Sequence, residues 1–154
     1  MRTIDALLSE VPAFEGMAPE WLELIAGCAV NRVFRDGEQL LREGEAADTF
    51  YVIREGDVAL ETYVPQRGAL TLETLHEGEL VGWSWLVSPH RTVFDARAIG
   101  TVHTLAFDGL CLRGKCEQDP VLGYDLLSRF VPVIVDRLQA TRLQLLDVYG
   151  NVGH

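Results

Sequence analysis

Near the start of the chain, apolar side chains fall three and four positions apart: Ile4, Leu7 and Leu8, then, after Pro19, Trp21, Leu22, Leu24 and Ile25. That is the stripe of one-sided helices, and Gly27 supplies a stop. From Val30 to Phe107 the texture changes to short apolar segments separated by glycines with acidic neighbours: Asp36-Gly37-Glu38, Glu43-Gly44-Glu45, Glu55-Gly56-Asp57 and Glu77-Gly78-Glu79. Short strands joined by turns are predicted. The segments 49–53, 57–63 and 102–107 are the richest in β-branched and aromatic residues, which predicts a β-roll or barrel. After Asp119-Pro120, where Asp can cap and Pro can occupy the first turn, helical periodicity runs to Tyr149, with Gly150 as a stop and a bend expected at Pro132.

Within that last segment Leu127, Val131, Ile134, Leu138, Thr141, Leu145 and Val148 alternate spacings of four and three. This is the seam of a two-stranded coiled coil and predicts a homodimer. The same stripe would also arise if the helix packed on the chain's own roll; the polar Thr141 favours an interface. The expected architecture is mainly β with flanking helices in one domain, residues 1–150: N-terminal helices over 1–29, a β-roll over 30–118 and a long helix over 119–150.

Composition agrees with a single acidic globular domain: 154 residues, 23 Asp and Glu against 13 Lys and Arg, a net charge of −10 and 48% hydrophobic residues. A chain of this size buries roughly 70% of the surface its unfolded form exposes, so a core needs neither disulfide nor metal. Three cysteines, Cys28, Cys111 and Cys116, make no disulfide framework and predict a reducing, cytoplasmic setting. Asp5 and Glu10 interrupt the N-terminal apolar stretch, so no export signal is read. No run reaches the roughly 18 apolar residues of a membrane span, and no membrane association is expected. The negative charge repels phosphate backbones, Lys115 is the sole lysine, and the arginines are scattered.

Two stretches carry a resemblance. Phe34-Arg-Asp-Gly-Glu-Gln-Leu-Leu-Arg-Glu-Gly-Glu-Ala-Ala-Asp-Thr-Phe-Tyr-Val-Ile-Arg-Glu-Gly-Asp-Val58 looks like a paired-turn motif in which glycines supply positive φ at tight corners. Arg137-Leu-Gln-Ala-Thr-Arg-Leu-Gln-Leu-Leu-Asp-Val-Tyr149 is similar to a dimerisation helix. Together, over roughly residues 10–149, they resemble the cyclic-nucleotide-binding domain of the catabolite activator and fumarate-nitrate regulator superfamily. The resemblance implies a double-stranded β-helix, or jelly-roll, flanked by N-terminal helices and a long C-terminal dimerisation helix. Those regulators continue into a helix-turn-helix domain. Here His154 follows soon after Tyr149, so no DNA-binding domain and no DNA contact are expected.

The same resemblance implies a ligand site, the family's phosphate-binding cassette: a glycine and glutamate after a strand, a short helix, then an arginine. The glutamate accepts from the ribose 2′-hydroxyl, the arginine pairs with the cyclic phosphate, and main-chain N–H groups complete the anion pocket. In Glu77-Gly-Glu-Leu-Val-Gly-Trp-Ser-Trp-Leu86, Gly82 falls on the cassette glycine and Trp83 on the glutamate. An indole has one donor and no acceptor, so the ribose contact is missing. Pro89-His90-Arg91-Thr92 resembles the arginine segment with one residue inserted, which makes Arg91 either the anion contact or an ordinary solvated arginine. Ala96-Arg97-Ala98 resembles the strand that follows. Thr141 falls where the dimer helix offers a threonine to the base across the subunit boundary, or is simply a small polar residue in the seam.

The candidate ligand-binding residues are therefore Gly82, Trp83, Ser84, Trp85, Arg91, Thr92 and Thr141. Three readings follow. The pocket is altered to take a flat, anionic or aromatic effector stacked on indole; or the two tryptophans fill the roll and leave a ligandless scaffold; or the site binds cAMP or cGMP in the ordinary way. Cys111 and Cys116, with two cations between them, are either a redox pair or small apolar fillers. His76, His90, His103 and His154 lack metal-site spacing, and no nucleophile elbow or phosphate loop occurs. The expectation is a non-catalytic sensory or regulatory module without a fixed cofactor or metal. It would signal through a homodimer helix, with a protein partner in place of DNA.

Overall fold

The computed structural model describes residues 3–152, with side chains through Asp147. The Val148 side chain of the expected seam and His154 lie outside the described residues. Two short α-helices, α1 (Ile4–Leu8) and α2 (Pro19–Ala26), with a 3₁₀ turn Pro12–Phe14 between them, precede six antiparallel strands: β1 (Ala29–Phe34), β2 (Gln39–Leu41), β3 (Thr49–Val64), β4 (Gly68–Leu75), β5 (Leu80–Val81) and β6 (Asp95–Asp108). Two helices follow, α3 (Gly109–Gln118) and α4 (Pro120–Val152). The strand order is β1-β6-β3-β4, with β2 added to β6 and β5 to β3.

Local chemistry sets the ends. Pro19 opens α2, Gly27 closes it, and the Asp108 carboxylate accepts from the Cys111 N–H to cap α3. Asp119 accepts from the N–H groups of Val121 and Leu122 at 3.1 and 3.3 Å, with Pro120 at the first helical position of α4. The segments read as separate strands at 49–53 and 57–63 are one strand, β3, whose register against β6 slips between Ile53 and Asp57. Such bulges bend a long strand, allowing β3 and β6 to serve both faces of the roll. Gly56 sits at this bend with φ +101°, and a Cβ there would lie 2.6 Å from the Thr101 carbonyl.

Alternation along β3 divides the interior in two. Phe50 and Val52 join Leu105, Phe107, Trp85 and the helical residues Leu8, Phe14, Ile25, Leu112, Leu122, Leu126 and Phe130 in a core between sheet and helices. Tyr51 and Ile53 turn the other way, into a core of Phe34, Leu40, Val58, Leu60, Leu75, Val81, Ala96, Ala98 and Val102 inside the roll.

Three expectations are corrected. Residues 109–118, assigned to the roll, are helical. The last helix passes Gly150 and runs to Val152, with Pro132 inside it. Cys28 and Cys111 form a disulfide, with Cα atoms 6.1 Å apart, where no bridge was expected. A Cys111–Cys116 pair is excluded by geometry, because five residues along a helix turn the side chains about 140° apart.

Candidate ligand pocket of the roll

β5 pairs with β3 through Tyr51↔Val81 and Val52↔Leu80, and Gly82 then turns the chain at φ +97°. A Cβ at that position would stand 3.2 Å from Leu41 Cδ1, so the turn needs glycine for its conformation and its space. The next residues fold as tight turns, with the Leu86 N–H donating to the Trp83 carbonyl at 3.0 Å.

Trp83 and Trp85 diverge from this turn. Trp83 is half-buried and meets Phe94 edge to face, centroids 5.2 Å apart. Gly82, Trp83, Ser84 and Thr92 come together with Leu41, Leu60, Val93 and Phe94 around a cavity of about 10 Å³. That is at the lower limit for one water. Trp85 does not line it. Fully enclosed, Trp85 stacks on Phe50 at 4.8 Å, Phe50 stacks on Phe107 at 4.4 Å, and Phe130 stands edge-on to both Trp85 and Phe50. Its expected place among the ligand contacts is corrected: in the tight turn that brings the Leu86 N–H to the Trp83 carbonyl, residues two apart face opposite ways, and Trp85 enters the helix-side core. The Trp85 indole N–H has no hydrogen-bond partner there.

Arg91 lies at the surface, outside the cavity, and its guanidinium donates to the Gly44 carbonyl at 3.2 Å. Its segment is strapped to the facing turn by Thr92 N–H to the Glu45 carbonyl at 2.9 Å and Gly44 N–H to the Thr92 carbonyl at 2.8 Å. Arg91 is thus spent on the main chain. Beyond Thr92 a second hollow, about 120 Å³, is walled by Leu41, Arg42, Glu45, Asp48 and Tyr51 among others. Thr141 is also committed locally, donating to the Arg137 carbonyl one turn back at 2.8 Å.

Sequence reasoning missed two arginines. Arg97 on β6 reaches across to Glu61 on β3 with two hydrogen bonds, 3.0 and 3.2 Å, and this contact raises the guanidinium pKa. Arg137 on α4 is 4% exposed and donates to the Leu80 carbonyl at 2.7 Å, two residues before Gly82. Glu73 lies 3.3 Å from its Nε. Burial lowers the Arg137 pKa and raises that of Glu73, each opposed by the other's charge. The signal was present as an arginine two helical turns after Phe130, on the packed side of α4, but periodicity alone reads it as solvated.

Among the described residues no three His, Cys, Asp or Glu side chains converge as metal ligands, and no helix is long and apolar enough to cross a membrane. His76 instead meets Asp57 at 2.7 Å.

A jelly-roll carrying a glycine-turned cassette between β5 and β6 and closed by a long helix defines the class. The sequence profile of the family described as "Cyclic nucleotide-binding domain" matches residues 31–119. The chain belongs to the cyclic nucleotide-binding domain family. No curated protein matches it. Among solved structures it is similar to a putative cyclic nucleotide-binding protein of Geobacter metallireducens, with 25% identity, TM-score 0.79, and coverage of 90% of this chain and 99% of that one. It is also similar to the Thermus thermophilus catabolite activator protein, at 24% identity and TM-score 0.68, covering 90% of this chain and 63% of that one. A third likeness is the regulatory domain of Toxoplasma gondii PKA with cAMP, at 21% identity and TM-score 0.69, covering 84% and 48%.

Proposed function

We propose that this chain is a non-catalytic regulatory module that has replaced ligand readout with protein contact. One observation carries the reading: the cavity behind the cassette is about 10 Å³, whereas sites for small molecules occupy roughly 300–1,000 Å³. Trp83, standing where the resemblance puts the ribose-binding glutamate, fills the space against Phe94, and Arg91 is bonded to Gly44. The output surface is α4. Leu127, Val131, Leu138 and Leu145 are 41%, 49%, 68% and 43% exposed, an unburied stripe suited to a second copy. Through the Arg137–Leu80 hydrogen bond, any shift of that helix reaches the cassette.

A second reading is favoured by the half-exposure of Trp83. If the indole swings out, a flat anionic or aromatic effector, or cAMP or cGMP itself, enters beside Thr92. Such an effector would drive α4 only by binding its two arrangements with different affinity. Thermal-shift and tryptophan-fluorescence titration with cAMP, cGMP and anionic aromatic metabolites, combined with sedimentation, decides. The expected outcome is a dimer that no compound stabilises and that Leu138→Glu turns into monomer. Saturable stabilisation that Trp83→Ala abolishes would overturn the closed-pocket reading and establish a sensor.

A further inference from the structure

The Cys28–Cys111 bridge takes no part in that reading and is independent of it. Cys28 sits between the end of α2 and β1, and its carbonyl accepts from the Asp108 N–H at 2.8 Å. Cys111 lies in the first turn of α3. α3 is wedged against α4: Leu112 is enclosed with Leu122, Leu126 and Phe130, and a Cβ on Gly123 would stand 3.3 Å from the Cys116 Cβ. The bridge therefore ties the start of the sheet to the helix that supports α4. It is also reachable. A groove of about 550 Å³ opens over it, with Cys28, Arg32, Asp48, Thr49 and Cys111 in its walls, and Cys111 is more exposed than the buried Cys28.

We propose that Cys28 and Cys111 form a reversible thiol–disulfide exchange site for a low-molecular-weight thiol and its disulfide, setting how firmly α3, and with it α4, is held to the sheet. In the oxidising direction the Cys111 thiolate attacks one sulfur of the external disulfide, releases one thiolate and forms a mixed disulfide. Cys28, deprotonated in turn, attacks the Cys111 sulfur and expels the second thiolate. Two cysteine thiols lose two electrons, the external disulfide becomes two thiols, and the two cysteine protons pass to the leaving thiolates. Reduction is the reverse. Cys116 is no competitor: it points about 140° away around α3, and burial raises its thiol pKa, helped by Asp119 and Glu117.

The full chain, at one fixed concentration, is equilibrated in oxidised or reduced glutathione, acid-quenched, alkylated and weighed intact. One alkylated cysteine is expected in the oxidising buffer and three in the reducing one, with a peptide map joining Cys28 to Cys111. The oxidised form should melt about 5–15 °C higher, and reduction should speed amide exchange in α3 and the first half of α4. Cys116→Ser keeps these changes; Cys111→Ser removes them, and reduced wild type serves the comparison if that variant folds poorly. Three alkylated cysteines under oxidation, a link through Cys116, or equal amide exchange in the two forms would each overturn the proposal. None of these readouts depends on an effector or on dimerisation.

Discussion

The cassette has an inner and an outer side, and its two tryptophans, two positions apart, show how differently they are built. On the helix side Trp85 completes a stack with Phe50 and Phe107, braced by Phe130 and closed to solvent. On the roll side Trp83 lines a small cavity with Leu41, Leu60, Thr92 and Val93, and its aromatic contact is with Phe94 alone. The same residue type is enclosed by aromatic rings in one direction and left half-open to water in the other. What separates them is the number of rigid neighbours and access to water; aromatic character is common to both.

That contrast breaks most easily at Trp85. Trp85→Ala should cost about 3–5 kcal/mol in urea unfolding, the range for a large aromatic deleted from a close-packed core. Trp85→Phe should lose much less, since it also removes an indole N–H that has no partner. Trp83→Ala should cost about 1–2 kcal/mol, because part of the ring already meets water. Equal costs at the two positions would show that the roll side is as tightly built as the helix side. The smallest effect lies on the roll's rim, where the Asp57 hydrogen bond raises the His76 pKa above its ordinary 6.5. The stabilisation linked to that raised value is complete below the unfolded pKa and is lost as pH rises through the folded one. Because His76 is exposed, the sharper readout is its NMR titration: a midpoint above 6.5 that Asp57→Asn brings back down.

Much of the architecture was legible because its signals are local. The glycine-acid pairs announced turns, Asp119-Pro120 announced the start of α4, and Gly27 the end of α2. The helix α3 was not legible: its only fully enclosed large side chain is Leu112, so no apolar stripe marks it, and Gly114 weakens its propensity. At the site, Gly82, Trp83, Ser84 and Thr92 could be placed together from the cassette pattern. Trp85 could not, since its direction depends on which face of the turn meets Phe50. Arg91 was hidden for a different reason: its partner is a main-chain carbonyl at Gly44, which a side-chain pattern does not record. The Cys28–Cys111 bridge spans 83 positions and exists only once β1 and β6 are paired.

The central position of β6 has a consequence for the order of events during synthesis. β3 and β4 are neighbours in sequence and can close as a hairpin as soon as both have emerged. Among the described residues β1 has no strand partner but β6, pairing Ala29 with Phe107 and Phe34 with Val102, and β2 likewise rests on β6. Most of the chain must therefore leave the ribosome before its first strand is paired. Such non-local topologies fold slowly and keep apolar segments exposed in the interval. The short N-terminal helices share one core with Phe50 and Leu105, and that core is complete only when the last strand arrives.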